Sequence, residues 1–179
     1  MPRILQCPTS KLFSIICLCL PLAASAGWLE AITSPQQSRP LQLKDLQQND
    51  HALEDYRGKV VLVSFWASWC TPCLKEMPSM QRLQARLADR PFQLLAVNSG
   101  ESAHKAKTSS QSYGPELLVL LDPRMEAYNA WGAKVFPTSY LVDTRGRIRY
   151  LVQGPMEWDD ESVLSAIEGM LKADNTERR

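Results

Sequence analysis

Histidine and charge surplus are both scarce in this 179-residue chain, and each shortage excludes something. There are two histidines, His51 and His104, far apart in sequence, so a Cys-x-x-Cys pair has no nearby ligands with which to close a zinc site. Lysine and arginine number 20 against 19 acidic residues, which leaves no basic footprint for nucleic acid. Internal repeats and low-complexity tracts are absent, so solenoid and fibrous architectures drop out. The most apolar run, Leu12 to Leu22, falls short of the roughly 20 residues that cross a bilayer. Cysteine is limited to five, and three of these, Cys7, Cys17 and Cys19, lie in that N-terminal region.

What is present begins with an export signal. Arg3 and Lys11 give a basic end free of acids, the apolar run follows, and Ala24-Ser25-Ala26 supplies small residues for cleavage. Cleavage after Ala26 leaves Cys70 and Cys73 as the only thiols, so no other intramolecular disulfide can form. It also leaves 18 basic and 19 acidic residues, a charge of -1. Ser14-Ile15-Ile16 and Ile16-Cys17-Leu18 match a lipoprotein signal poorly, and an uncleaved membrane anchor is the alternative. The chain thus divides into a signal or anchor (1–26), a polar, proline-bounded linker (27–40), one domain (41–172) and a tail (173–179).

Within the domain, the β-branched run Val60 to Phe65 reads as a buried strand leading into Trp66-Ala67-Ser68-Trp69-Cys70-Thr71-Pro72-Cys73. Beyond it, Met77, Met80, Leu83 and Leu87 recur at helical spacing, with Pro78 placed to kink that helix. The cysteines therefore sit where a strand hands over to a helix N-terminus. Unpaired N–H groups and the helix dipole there favour a thiolate at Cys70, the candidate nucleophile. Cys73, one turn on, can attack a mixed disulfide at Cys70 and is the candidate resolving thiol. A purely structural disulfide is disfavoured because so short a loop removes little unfolded-state entropy. Two buried free thiols fit poorly with an exported chain, where thiols oxidise.

Other elements follow by pattern. Leu41 and Leu43, turn chemistry at Gln47-Gln48-Asn49-Asp50, and Leu53 suggest a β-hairpin. Phe92 to Val97 is a strand with Asn98-Ser99-Gly100 as its exit turn; residues 102 to 113 suggest a solvated helix; Leu117 to Leu121 is a strand. Met125 to Trp131 forms a short helix closed by Gly132. Thr138 to Val142 and Ile148 to Val152 form a terminal hairpin around Asp143-Thr144-Arg145-Gly146. A last helix is capped by Asp159 or Asp160 and buries Val163, Leu164, Ile167, Met170 and Leu171. Strands alternating with helices imply parallel pairing in the first part, and the whole is an α/β domain.

Trp69-Cys70-Thr71-Pro72-Cys73 resembles the WCxPC active site of thioredoxin-fold oxidoreductases. Gly58-Lys59-Val60-Val61, Cys73-Leu74-Lys75-Glu76-Met77-Pro78, Val97-Asn98-Ser99-Gly100-Glu101-Ser102 and Phe136-Pro137-Thr138 narrow the likeness to the TlpA/ResA/DsbE branch, over about residues 41 to 172. The resemblance implies a thioredoxin fold, a mixed central sheet flanked by helices, with an added N-terminal hairpin. It also implies a cis Pro137 lying against the cysteines, with Phe136 pairing an extended substrate segment by β-augmentation. Trp69, Pro72 and Tyr140 would then line an apolar rim, although Tyr140 could equally be strand core.

In thioredoxins the strand position six before the first cysteine carries a buried aspartate that moves protons; here it is Ser64. The resemblance makes Glu76, three residues after Cys73, the expected replacement, at a position expected to lie near the surface; a solvated helix glutamate is the competing reading. No cofactor or metal is expected, since the cysteines carry the electrons themselves. The implied partners are disulfide-bearing client proteins, apocytochrome c among them, and a membrane protein that donates electrons, in a periplasmic or other extracytoplasmic setting. A thiol peroxidase of the peroxiredoxin type is the runner-up, but its Pro-x-x-x-Thr/Ser-x-x-Cys pattern fails at Ala67. A redox-inert binding module is the non-enzymatic alternative.

Overall fold

The computed structural model describes residues 28–113 and 117–177. The export signal expected at 1–26 lies outside the described residues, as do Arg178 and Arg179. Eight strands, β1 (Glu30–Gln37), β2 (Gln42–Asp45), β3 (Asp50–Ala52), β4 (Val60–Trp66), β5 (Phe92–Ser99), β6 (Val119–Asp122), β7 (Thr138–Val142) and β8 (Arg147–Gln153), form one sheet. Its order is β1-β8-β7-β4-β5-β6-β2-β3. β4, β5 and β6 run parallel; β7 and β8 are antiparallel to their neighbours. Helices α1 (Thr71–Arg86), α2 (Ala103–Ser110), α3 (Glu126–Ala130) and α4 (Glu161–Glu177) complete the domain. Among the described residues no helix is long and apolar enough to cross a membrane.

β4 is buried at every position, which is why it reads as an unbroken apolar run rather than an alternating one. Its period of two still divides its side chains between two cores. Val60, Leu62 and Trp66 join α1 residues Met77, Met80 and Leu83 and α4 residues Val163 and Ile167. Val61, Val63 and Phe65 join Leu41, Leu95, Val97, Tyr128, Trp131 and Tyr140 on the opposite face. α1 runs through Pro78 without a break in its span.

The expected hairpins are present. β2 and β3 pair across the turn at Leu46–Asn49, where the Asp45 carboxylate accepts the backbone N–H of Gln47 and Asn49. In the terminal hairpin the Asp143 carboxylate likewise accepts from Arg145 and Arg147. Gly146 there has φ +75, and a Cβ at this position would run into the Arg57 guanidinium. Asp160 is the cap of α4, accepting the Ser162 N–H at 2.8 Å.

Two boundaries differ from the sequence reading. The segment expected to be a linker contains β1, which pairs Glu30 with Leu151 and Gln37 with Arg147 and shifts register between Ala31 and Gln36. Pro35 lies in that irregularity on an edge strand, the setting in which a strand tolerates a proline. α4 also continues to Glu177, beyond the expected frayed end at 172.

Between the two sheet edges, the chain at Pro40–Leu41 passes across the Phe65 face. The Trp131 indole donates to the Pro40 carbonyl at 3.4 Å, and Leu41 is 1% exposed among the aromatic side chains. Leu43, two residues on, is only half-buried. In urea denaturation Leu41→Ala is therefore expected to cost about 3 kcal/mol, and Leu43→Ala less than about 1 kcal/mol.

Candidate active site

The C-terminal end of β4 delivers the chain to one pole of the sheet, and the cysteines follow four residues later. Cys70 is the N-cap of α1, with extended backbone (φ -86, ψ 93), and its Sγ accepts the Cys73 N–H at 3.2 Å. Pro72, in the first turn of the helix, removes an N–H that would have had no partner there. No acidic residue occupies that first turn to oppose negative charge at Cys70. The two cysteines are joined as a disulfide with Cα atoms 5.3 Å apart. Cys70 keeps 4% exposure while Cys73 keeps none, so only the first sulfur has a route to solvent.

The Phe136–Pro137 peptide bond is cis, as the motif implies. Pro137 is buried and Phe136 half-buried, with Val135 exposed beside them. Trp69, 62% exposed, meets Phe136 edge-on with ring centroids 5.2 Å apart. Phe136 in turn stacks on Tyr128 at 4.7 Å. The rim is therefore an aromatic ladder from exposed Trp69 down into the core. Tyr140 is not part of it: it is 5% exposed and donates its hydroxyl to the Trp131 carbonyl at 2.9 Å, which makes it strand core. Tyr128, which sequence reasoning did not single out for the rim, takes that place; its only signal was an aromatic residue in a short amphipathic helix.

Ser64 is fully buried and accepts a hydrogen bond from Ser139 at 2.9 Å, a neutral cross-strand pair where thioredoxins hold a carboxylate. Glu76 is not the near-surface residue expected; it is 2% exposed. The segment that covers it comes from far along the chain. Met156 donates its backbone N–H to Glu76 Oε2 at 3.1 Å, and Trp158 donates its own to Ser79 Oγ at 3.0 Å. Burial pushes the Glu76 carboxyl up to about 8, against the lowering effect of the Met156 amide. Glu76 Oε1 has no hydrogen-bond partner, and neither has the indole N–H of buried Trp158.

A second buried carboxylate at this pole behaves oppositely. Glu101, at the exit of β5, accepts the backbone N–H and the hydroxyl of Ser68 at 2.6 Å each, the Asn98 amide at 2.9 Å and the Lys105 ammonium at 2.9 Å. Burial alone would raise its affinity for a proton, but these donors outweigh it and hold the group down to about 2. Sequence reasoning placed Glu101 in a motif and gave it no role.

Comparison with known proteins agrees with this geometry. Over residues 30–167 the chain matches the family model described as Redoxin. It is similar to the thiol-disulfide oxidoreductase ResA of Geobacillus thermodenitrificans, at 35% identity over 66% of this chain and 68% of that protein. ResA of Bacillus subtilis is 29% identical over 82% of this chain and 80% of its own. Among solved structures, a Chlorobium tepidum protein assigned as the thiol:disulfide interchange protein DsbE superposes with a TM-score of 0.72. It is 29% identical and covers 79% of this chain and 99% of its own. The fold is the thioredoxin fold, and the chain belongs to the Redoxin family.

Proposed function

We propose that this protein is an exported thiol-disulfide oxidoreductase of the ResA/DsbE type that reduces disulfides in client proteins, apocytochrome c among them. The observation that supports the reading is the pair Cys70–Cys73 at the start of α1, beneath a cis Phe136–Pro137 and an aromatic rim. In the reduced protein the Cys70 thiolate attacks a client disulfide, forming one S–S bond as the client's breaks, and the released client thiolate takes a proton. Cys73 then attacks Cys70 Sγ, closing the internal disulfide and expelling the second client thiolate, which is also protonated. Two electrons pass to the client, and a membrane dithiol protein restores them. Phe136 offers its backbone to an extended client segment, while Trp69, Pro72 and Pro137 shape the groove.

Glu76 is the proton-handling group in this scheme. Buried beside the helix turn that carries Cys73, and with a carboxyl pushed up to about 8, it keeps its proton near neutrality and can give it to a sulfur at the moment charge appears there.

The roles of the cysteines are tested by alkylation and trapping. In the reduced domain Cys70 is expected to react with iodoacetamide and Cys73 to stay protected. Wild type should reduce insulin, Cys70→Ser should not, and Cys73→Ser should accumulate mixed disulfides in its native compartment. Equal alkylation of both thiols would overturn the assignment, and absence of insulin reduction would favour the inert binding module.

Burial of Glu76 also makes stability depend on pH. A carboxyl with a folded-state pKa raised from 4.5 to about 8 contributes nothing adverse below the lower value, where both states are protonated. As pH rises from 4.5 toward 8 the unfolded chain ionises first, and stability falls by at most about 1.4 kcal/mol per unit. Glu76→Gln is expected to flatten thermal stability across that window and to slow reduction of a protein disulfide. Melting temperatures of the oxidised proteins, measured across that window and on either side of it, provide the check; parallel curves for wild type and variant would remove the buried-acid assignment.

A further inference from the structure

Glu101 is the buried acid that the chemistry above leaves unused, and its bonding is not that of an ordinary turn residue. An acid at the exit of β5 could be satisfied locally by Asn98 and Lys105, both of which it binds. Its two shortest bonds go elsewhere, to the backbone and hydroxyl of Ser68, 33 residues earlier. Ser68 lies in Ala67-Ser68-Trp69, which with the N-cap Cys70 joins the end of β4 to the start of α1. Within that link the Cys70 N–H donates to the Ala67 carbonyl at 3.1 Å, so the turn is closed on one side by its own backbone and on the other by Glu101.

The same link carries Trp69, whose ring is mostly exposed and has, among the described residues, one aromatic partner, Phe136. An exposed indole on a three-residue arm would sample several orientations unless the arm were fixed. A carboxylate that accepts both an N–H and an O–H from one residue fixes that residue's position and rotation together. A glutamine in place of Glu101 could not reproduce this, because its amide nitrogen cannot accept from Ser68. An aspartate there would keep the charge but fall one methylene short of Ser68.

We propose that Glu101 is a positioning residue: acting through Ser68, it holds the Ala67–Trp69 arm so that Trp69 and Phe136 form a pre-set docking edge beside Cys70. This deepens the proposed function and rests on it, since the benefit is to docking of a protein disulfide and not to thiol chemistry as such. A rigid edge reduces the ordering that a client must bring about when it binds.

The test compares wild type with Glu101→Gln, Glu101→Asp and Ser68→Ala, each checked for folding by its melting curve. Steady-state reduction of insulin gives KM and kcat, and the reaction of the reduced protein with hydroxyethyl disulfide reports thiol chemistry without docking. Fluorescence anisotropy decay, differenced against each protein's Trp69→Phe counterpart, reports the freedom of the Trp69 ring. Both Glu101 variants are expected to raise KM for insulin about tenfold, with kcat and the small-disulfide rate held within about twofold and Trp69 more mobile. Ser68→Ala, which keeps the backbone bond, should raise KM about threefold. Wild-type behaviour of Glu101→Asp, equal losses on both substrates, or an unchanged Trp69 decay would each overturn the proposal. Should Glu101→Gln and Glu101→Asp fail to fold, Ser68→Ala decides it: unchanged KM and decay refute it. If wild type reduces no insulin, the functional reading fails on its own, while the Trp69 decay still decides what Glu101 holds.

Discussion

Because β4 is buried along its whole length, its backbone groups have no water to turn to and must be satisfied by strands on both edges. β5 pairs with it in register from Val60 to Trp66, and β7 from Val61 to Phe65. That double pairing fixes three chain ends at one pole of the sheet: the exit of β4 with the cysteines, the exit of β5 with Glu101, and the start of β7 with the cis Phe136–Pro137 bond. The redox site is thus a product of strand register. A one-residue slip of β4 would exchange Trp66 and Phe65 between the two cores, so the aromatic packing that penalises a slip also guards the position of Cys70.

At that pole two carboxyl groups with little exposed surface have opposite proton affinities: Glu76 is the more deeply buried and has few donors, while Glu101 is less deeply buried and has many. Glu101 has four, one of them cationic, and stays ionised. Glu76 has the single Met156 amide and an oxygen with no partner, and burial prevails. One acid is suited to holding backbone in place and the other to exchanging a proton, from the same residue type in the same half of the fold.

What the residues disclosed in advance depended on how local the causes were. The cysteine pair, an aspartate N-cap at 159 or 160, the two hairpins and the helical stripe of α4 are set by residues a few positions apart, and all were legible. Phe136–Pro137 was legible through a motif, since nothing within the dipeptide dictates the isomer. Burial of Glu76 was not, because the cover over it comes from Met156 and Trp158, 80 residues away, and a glutamate on a helix looks solvated until its neighbours are known. Tyr140 and Tyr128 were exchanged in the rim for the same reason: which aromatic stacks on Phe136 follows from how α3 lies on the sheet. β1 was hidden by Pro35, since a proline argues against a strand unless the strand lies at an edge and bulges there.

The exchange of aspartate for Ser64 also constrains how a proton can reach Cys73. Ser64 and Ser139 bond to each other, so the strand side of the site presents a neutral, already paired surface. Of the other buried carboxylates among the described residues, Asp45 and Asp143 are committed to hairpin turns, and Asp122 to the backbone at the start of α3. Glu101 is committed to Ser68. Glu76 alone retains a buried oxygen with no donor, and it lies on the same helix as Cys73, one turn further in. On the proposal that Glu76 handles the proton, delivery is from the helix side and not from the sheet. Under the proposed proton-handling role of Glu76, the loop that closes over it, Met156 to Trp158, would share in setting how firmly the proton is held, through the Met156 amide and the burial it imposes.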